Sequence, residues 1–275
     1  MNASIASQLR NAIASTICLL AVCCGAAAQV VSVPFNENGF LFSDAPTLTF
    51  VWVGAKARAT LVFIPGGEGR IGLTPDRKSL GGFYAATLKP LSDPNLTSGL
   101  FNVVVFDSPV ALPSGNDYPN SRQSKEHLLR VESVARHFRD QYSRPVWIMG
   151  HSNGVASMTE FYKMLEQNGQ TALVSGLIYS SARNGSSFGD KTNIPILFLA
   201  HERDGCAKSM PSVSRAVYER IRNTNQQKID YIQIRGGEDQ PQNPCTSGFH
   251  MFHKASNEVL QAIDQFANSI LPPEQ

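Results

Sequence analysis

The stretch Pro145 to Met164, PVWIMGHSNGVASMTEFYKM, sets a serine between two glycines, Gly150 and Gly154, two residues away on either side. A serine hydroxyl attacks carbonyl carbon once a base takes its proton, and it is best presented from the apex of a sharp turn. The flanking glycines remove the side chains that would collide where the backbone doubles back. The amide of Asn153, at the start of the helix that follows, faces any negative charge forming beside Ser152. The spacing alone recurs by chance. Its setting is what the chemistry needs: Val146-Trp147-Ile148-Met149 reads as a buried strand, and Gly154, Ala156 and Ser157 open a helix.

A nucleophilic Ser152 needs a base and an acid to orient it, on loops after later strands, in the chain order Ser, Asp or Glu, His. Of six histidines, His127, His137 and His151 precede or abut the serine, and His201 comes too early. His250 and His253 lie between the last strand and the last helix. His250 is favoured because His253 abuts the expected start of that helix. For the acid, Asp204 in His201-Glu202-Arg203-Asp204-Gly205-Cys206 is preferred to Glu202, which reads as a surface partner of Arg203. Gly66-Gly67-Glu68-Gly69, directly after another buried strand, can supply a further oxyanion donor from Gly67 or Glu68. No Gly-Lys-Ser/Thr follows it and no G-x-G-x-x-G opens a helix, so nucleotide binding is disfavoured and no cofactor is implied.

The elements that must position these residues alternate. Thr47–Val53 suits an antiparallel edge strand, set off by turn signals at Asn36–Gly39 and Ser43–Pro46. Buried strands are expected at Thr60–Ile64, Asn102–Phe106, Gly176–Tyr179 and Ile194–Ala200, and a last strand at Ile229–Ile234. Helices are expected after Ser124, after Pro211 and around Val259–Ile270. Pro113–Arg122 reads as a surface loop; Arg122, Glu126 and His127 could line the cleft, but read better as a solvated helix start. This pattern predicts one α/β domain, doubly wound on a mainly parallel sheet, over residues 29–275. Only Ala182–Asn193 separates two of the strands, which leaves no room for a lid.

Residues 1–28 carry Arg10, an apolar run from Ala12 to Cys24 and a small-residue end, Gly25-Ala26-Ala27-Ala28, and read as a signal peptide cut after Ala28. The apolar run is shorter than the roughly 20 residues of a membrane span. A lipid-anchored start at Cys23 or Cys24 would set Val22 or Cys23 where such signals carry a small residue. Export leaves Cys206 and Cys245, and a disulfide between them would tie the acid loop to the base loop. The chain is 42% hydrophobic with a net charge of +2, one unit less without Arg10, so no basic field attracts nucleic acid.

These residues resemble the α/β-hydrolase superfamily: Gly150-His151-Ser152-Asn153-Gly154 is similar to its nucleophile elbow and Pro65-Gly66-Gly67-Glu68-Gly69 to its oxyanion loop. More narrowly, Asp204-Gly205-Cys206 and Cys245-x4-His250 are similar to pieces of small secreted bacterial hydrolases. The resemblance implies an eight-stranded sheet and attack by Ser152 on an ester-like carbonyl, with His250 as base and Asp204 holding its ring; a metal site would want more Cys or His at short spacing than this sequence has. The first loop departs from the His-Gly-Gly-Gly form of many esterases, which leaves the second oxyanion donor open. A secreted binding protein on the same fold, and a peptidase or acyltransferase using the same residues, are the alternatives.

Overall fold

A computed structural model describes residues 28–35, 44–110, 112 and 118–273. The expected leader, apart from Ala28, lies outside the described residues, as do the turn signal at 36–39 and positions 113–117 of the expected loop.

Eight strands form one sheet: β1 (Ala28–Phe35), β2 (Asp44–Trp52), β3 (Ala59–Ile64), β4 (Phe101–Phe106), β5 (Val146–His151), β6 (Gly176–Ser180), β7 (Ile196–His201) and β8 (Ile229–Ile234). Their order is β1-β2-β4-β3-β5-β6-β7-β8. Strand β2 runs antiparallel to β1 and β4, and every other pairing is parallel. Asp44-Ala45-Pro46, expected in a turn, instead begins β2, with Asp44 opposite Phe35.

The central strands are continuous apolar runs because both faces of the sheet are covered. In β3 the alternation of the pleat sends Val62 and Ile64 to one core and Leu61 and Phe63 to the other. The first core is closed by α2 (Lys125–Tyr142), α3 (Asn153–Gln167) and α4 (Pro211–Ile221), through Val131, Phe138, Val155, Phe161 and Ile221. The second is closed by α5 (Ser256–Asn268), whose Val259, Ile263 and Phe266 fall on one face. Burying these side chains contributes about 2 kcal/mol each.

Helix α2 starts where Ser124 accepts the amide of His127 at 3.4 Å, as an N-cap should. A short helix, α1 (Tyr118–Arg122), stands where a loop was expected. Arg122, expected to be solvated, is fully buried, and His127 is 3% exposed. Only Glu126 of that group is at the surface, paired with Arg130 at 2.8 Å. Residues Tyr84–Leu88 form a wide π-helical turn and Lys89–Ser92 a 3-10 turn, seating Leu88 and Leu91 in the second core. No helix lies between β6 and β7, so nothing like a lid is inserted there. Among the described residues no helix is long and apolar enough to cross a membrane.

Candidate active site

Ser152 sits between the end of β5 and the start of α3 with φ 54° and ψ −123°, a conformation that costs a non-glycine residue about 1–3 kcal/mol. Its amide continues the parallel ladder by donating to Ser180 O at 3.0 Å, so the turn comes one residue beyond the sheet. Three glycines make that turn possible by close approach. A Cβ on Gly154 would stand 2.0 Å from Ile64 O, one on Gly150 would stand 2.6 Å from Gly154 O, and one on Gly66 would stand 2.8 Å from the Cβ of Ser152. Helix α3 therefore packs directly on the end of β3, and the loop after β3 lies against Ser152.

Asp204 follows β7 in a turn closed by its amide on His201 O at 3.2 Å. Its Oδ1 accepts the amide of Cys206 at 2.9 Å, and its Oδ2 lies 2.8 Å from His250 Nδ1. Both side chains are within 1% of complete burial. His250 is carried on a single 3-10 turn, Gly248–Met251, entered by Gly248 at φ +58°, where a Cβ would meet Gln240 N at 2.5 Å. Ser209 Oγ lies 3.0 Å from His250 Nδ1 and 3.3 Å from Asp204 Oδ2, so three side chains share one buried cluster. His250 Nε2 is buried with no hydrogen-bond partner among the described residues, Ser152 Oγ included; in a neutral ring whose Nδ1–H is donated to Asp204, that nitrogen would carry the lone pair. The ring centroid of His250 is 5.2 Å from that of His151, the neighbour of Ser152.

Cys206 and Cys245 form a disulfide, with their Cα atoms 4.6 Å apart and a sequence separation of 39. It joins the loop holding Asp204 to the loop leading into His250.

The loop after β3 is a turn closed by Gly69 N on Gly66 O at 2.9 Å, with Gly67 at φ +53°. That closing bond leaves the amides of Gly67 and Glu68 free of the turn's own bonding. Asn153 Nδ2 donates to Gly67 O at 2.9 Å, tying this loop to the residue after Ser152. The backbone amide of Asn153 is among the helix-start donors without an intrahelical partner. The Gly66–Gly69 turn and the start of α3 thus both adjoin Ser152.

The competing residues have other partners. Glu202 is a surface group, 4.0 Å from Arg203 and 3.5 Å from Arg235. His201 is buried, donates from Nε2 to Gly236 O at 2.7 Å, accepts the amide of Arg203 at Nδ1 and stacks on Phe249. His253 is held by its backbone, donating to Gly248 O at 2.9 Å. Burial holds His151 well below its usual pKa, with the nearby His250 adding to the effect. His151 is therefore a neutral packing residue, 3.0 Å from Ser180 Oγ and 3.2 Å from Met251 Sδ.

Ser209 was not singled out in the sequence, and Arg122 and His127, read there as solvated, are instead buried with Ser157 beneath the Gly66–Gly69 turn. For Ser209 a signal existed in its position five residues after Asp204, within the same loop. Among the described residues no group of three His, Cys, Asp or Glu side chains is placed to hold a metal ion.

No protein-family model matches the chain, and no curated protein matches it. Solved structures do. A serine hydrolase without a lid from Xanthomonas campestris matches with a TM-score of 0.57 at 15% identity over 90% of this chain and 97% of that one. A thermostable carboxylesterase cloned from a metagenomic library matches with a TM-score of 0.58 at 15% identity over 97% and 95%. An esterase from Pyrococcus furiosus matches with a TM-score of 0.57 at 11% identity over 90% and 94%. Strand order, the antiparallel first pair and these likenesses agree: the chain has the α/β-hydrolase fold, with no lid between β6 and β7.

Proposed function

We propose that the chain is a secreted serine hydrolase that cleaves carboxylic esters through Ser152, His250 and Asp204. The observation that carries the reading is the buried 2.8 Å contact of His250 Nδ1 with Asp204, which leaves Nε2 unpartnered in a site whose serine sits at positive φ. His250 Nε2 takes the proton as Ser152 Oγ bonds to the ester carbonyl carbon. Asp204 fixes the ring's tautomer and stabilises the imidazolium. The carbonyl oxygen becomes an oxyanion, met by the Asn153 amide and by that of Gly67 or Glu68. Collapse breaks the ester C–O bond, and His250 returns the proton to the departing alcohol. Water, activated by the same nitrogen, then releases the acid from the acyl-serine.

Secretion is supported by the leader-like first 28 residues and by the disulfide, which persists in oxidising compartments. The structural neighbours described as esterases and a carboxylesterase agree with ester chemistry.

The test is hydrolysis of short-chain p-nitrophenyl esters by the protein from Gln29 onward. Ser152→Ala should lower kcat by at least about 10⁴-fold. Turnover retained in that variant would reject the reading.

A further inference from the structure

Arg122 is a fully buried arginine, at 0% exposure. Its partners are all neutral: Nη2 donates to Gly67 O at 2.7 Å and Gly66 O at 3.4 Å, and Nη1 to Ser157 Oγ at 3.0 Å and Pro65 O at 3.3 Å. Among the described residues no carboxylate pairs with it. Burial alone lowers its pKa to about 10, so it stays a cation at neutral pH. Burying a cation without a carboxylate partner is costly, and here the compensation comes from carbonyl and hydroxyl acceptors.

We infer that Arg122 is a positioning residue of the oxyanion site, aiming and polarising the backbone amides of Gly67 and Glu68. The peptide unit is planar and trans, so its carbonyl and its N–H point in opposite directions. Arg122 holds Gly66 O, whose peptide carries the Gly67 amide, and Gly67 O, whose peptide carries the Glu68 amide. Both amides are thereby turned away from the guanidinium. A cation on each carbonyl also draws charge through the peptide and makes the amide at its other end a better donor. Gly69, at φ +70°, is shaped to this contact, since a Cβ there would lie 3.0 Å from Nη1. Ser157 braces the guanidinium from α3, and His127 Nε2 lies 2.8 Å from Ser157 Oγ. The positive charge thus lies behind the loop where negative charge would develop in front.

The inference rests on the serine-hydrolase reading, and one set of measurements separates the two. Wild type, Arg122→Met, Arg122→Lys and Ser157→Ala are reacted with a fluorophosphonate over a range of concentrations, with melting curves to establish folding. For Arg122→Met the limiting rate of Ser152 modification should fall by about 10²-fold, the scale of losing one oxyanion donor, while the apparent affinity for the reagent changes less than about 3-fold. Arg122→Lys, which keeps the charge, should recover part of that loss. Affinity for phenylboronic acid, which forms a tetrahedral adduct on serine, should fall in parallel with the rate. A folded Arg122→Met with the wild-type limiting rate would overturn the inference. Should that variant not fold, Arg122→Lys and Ser157→Ala decide by the same readout: reduced limiting rates in both support the inference, and wild-type rates overturn it. Wild-type protein that does not react at all would instead remove the serine-hydrolase reading itself.

Discussion

Ser152 is held in a conformation that its own Cβ disfavours, at φ 54°. Ser152→Ala keeps that Cβ and Ser152→Gly removes it, so both should be inactive but the glycine variant should melt higher, despite its greater unfolded-state entropy. A lower melting temperature for Ser152→Gly than for Ser152→Ala would show that the turn stores no strain. His127 gives a second prediction. Burial, with the charges of Arg122 and Arg130, depresses its pKa from 6.5 to about 3. The unfolded chain therefore binds a proton there between those values and the folded chain does not, so stability is lost as pH falls below about 6.5. Between pH 7 and pH 5 the loss from this group should be about 2 kcal/mol, and His127→Gln should lack it in urea titrations at the two pH values. Equal losses in both proteins would contradict the depressed pKa. The turn at Ser152 and the pairing of Asp204 with His250 could be anticipated because serine attack would need these side-chain types and the strand order of this fold carries them in the order serine, acid, histidine. Arg122 was not legible, because its partners are mostly main-chain carbonyls, and every residue has one.

At the scale of elements, the candidate site is three loops brought to one end of a parallel sheet, and the disulfide joins two of them. Cys206→Ser with Cys245→Ser should destabilise the protein by about 3–4 kcal/mol on chain-entropy grounds. Because Cys206 N also holds Asp204 Oδ1, the same change should lower kcat more than it raises KM for a short ester. An unchanged kcat in the folded double variant would confine the bridge to stability. The packing of α3 on β3 is tighter still. Gly154→Ala sets a Cβ 2.0 Å from Ile64 O and should prevent folding to the native state, as read by loss of the cooperative melt. A native-like melt for that variant would contradict the close packing. Strands β3 to β7 could be read from sequence because covering both faces of a sheet demands unbroken apolar runs. Helix α1 and the Tyr84–Ser92 turns could not, since each is a turn or two long and owes its shape to what it packs on: α1 to Arg122 under the Gly66–Gly69 turn, and Tyr84–Ser92 to Leu88 and Leu91 in the second core.

The whole molecule is an α/β-hydrolase fold with an antiparallel pair at one edge and no helix between β6 and β7. With no helix inserted between β6 and β7, we expect no lid-borne apolar surface over the serine to take up a long acyl chain. In a series of p-nitrophenyl esters, kcat/KM should therefore be highest for short acyl groups. A steep rise toward long chains would contradict that account of the cleft. The overall architecture was legible because strand and helix patterns alternate along the chain; the buried polar cluster of Arg122, Ser157 and His127, which depends on distant segments meeting, was not. The central claim is that the arrangement of Ser152, His250 and Asp204 activates the serine, and fluorophosphonate labelling with the modified residue mapped by peptide mass tests it most directly. The expected result is a single adduct on Ser152, absent in Ser152→Ala and slowed by orders of magnitude in His250→Ala. Folded, disulfide-bonded protein that takes no label, or takes it elsewhere, would contradict the claim.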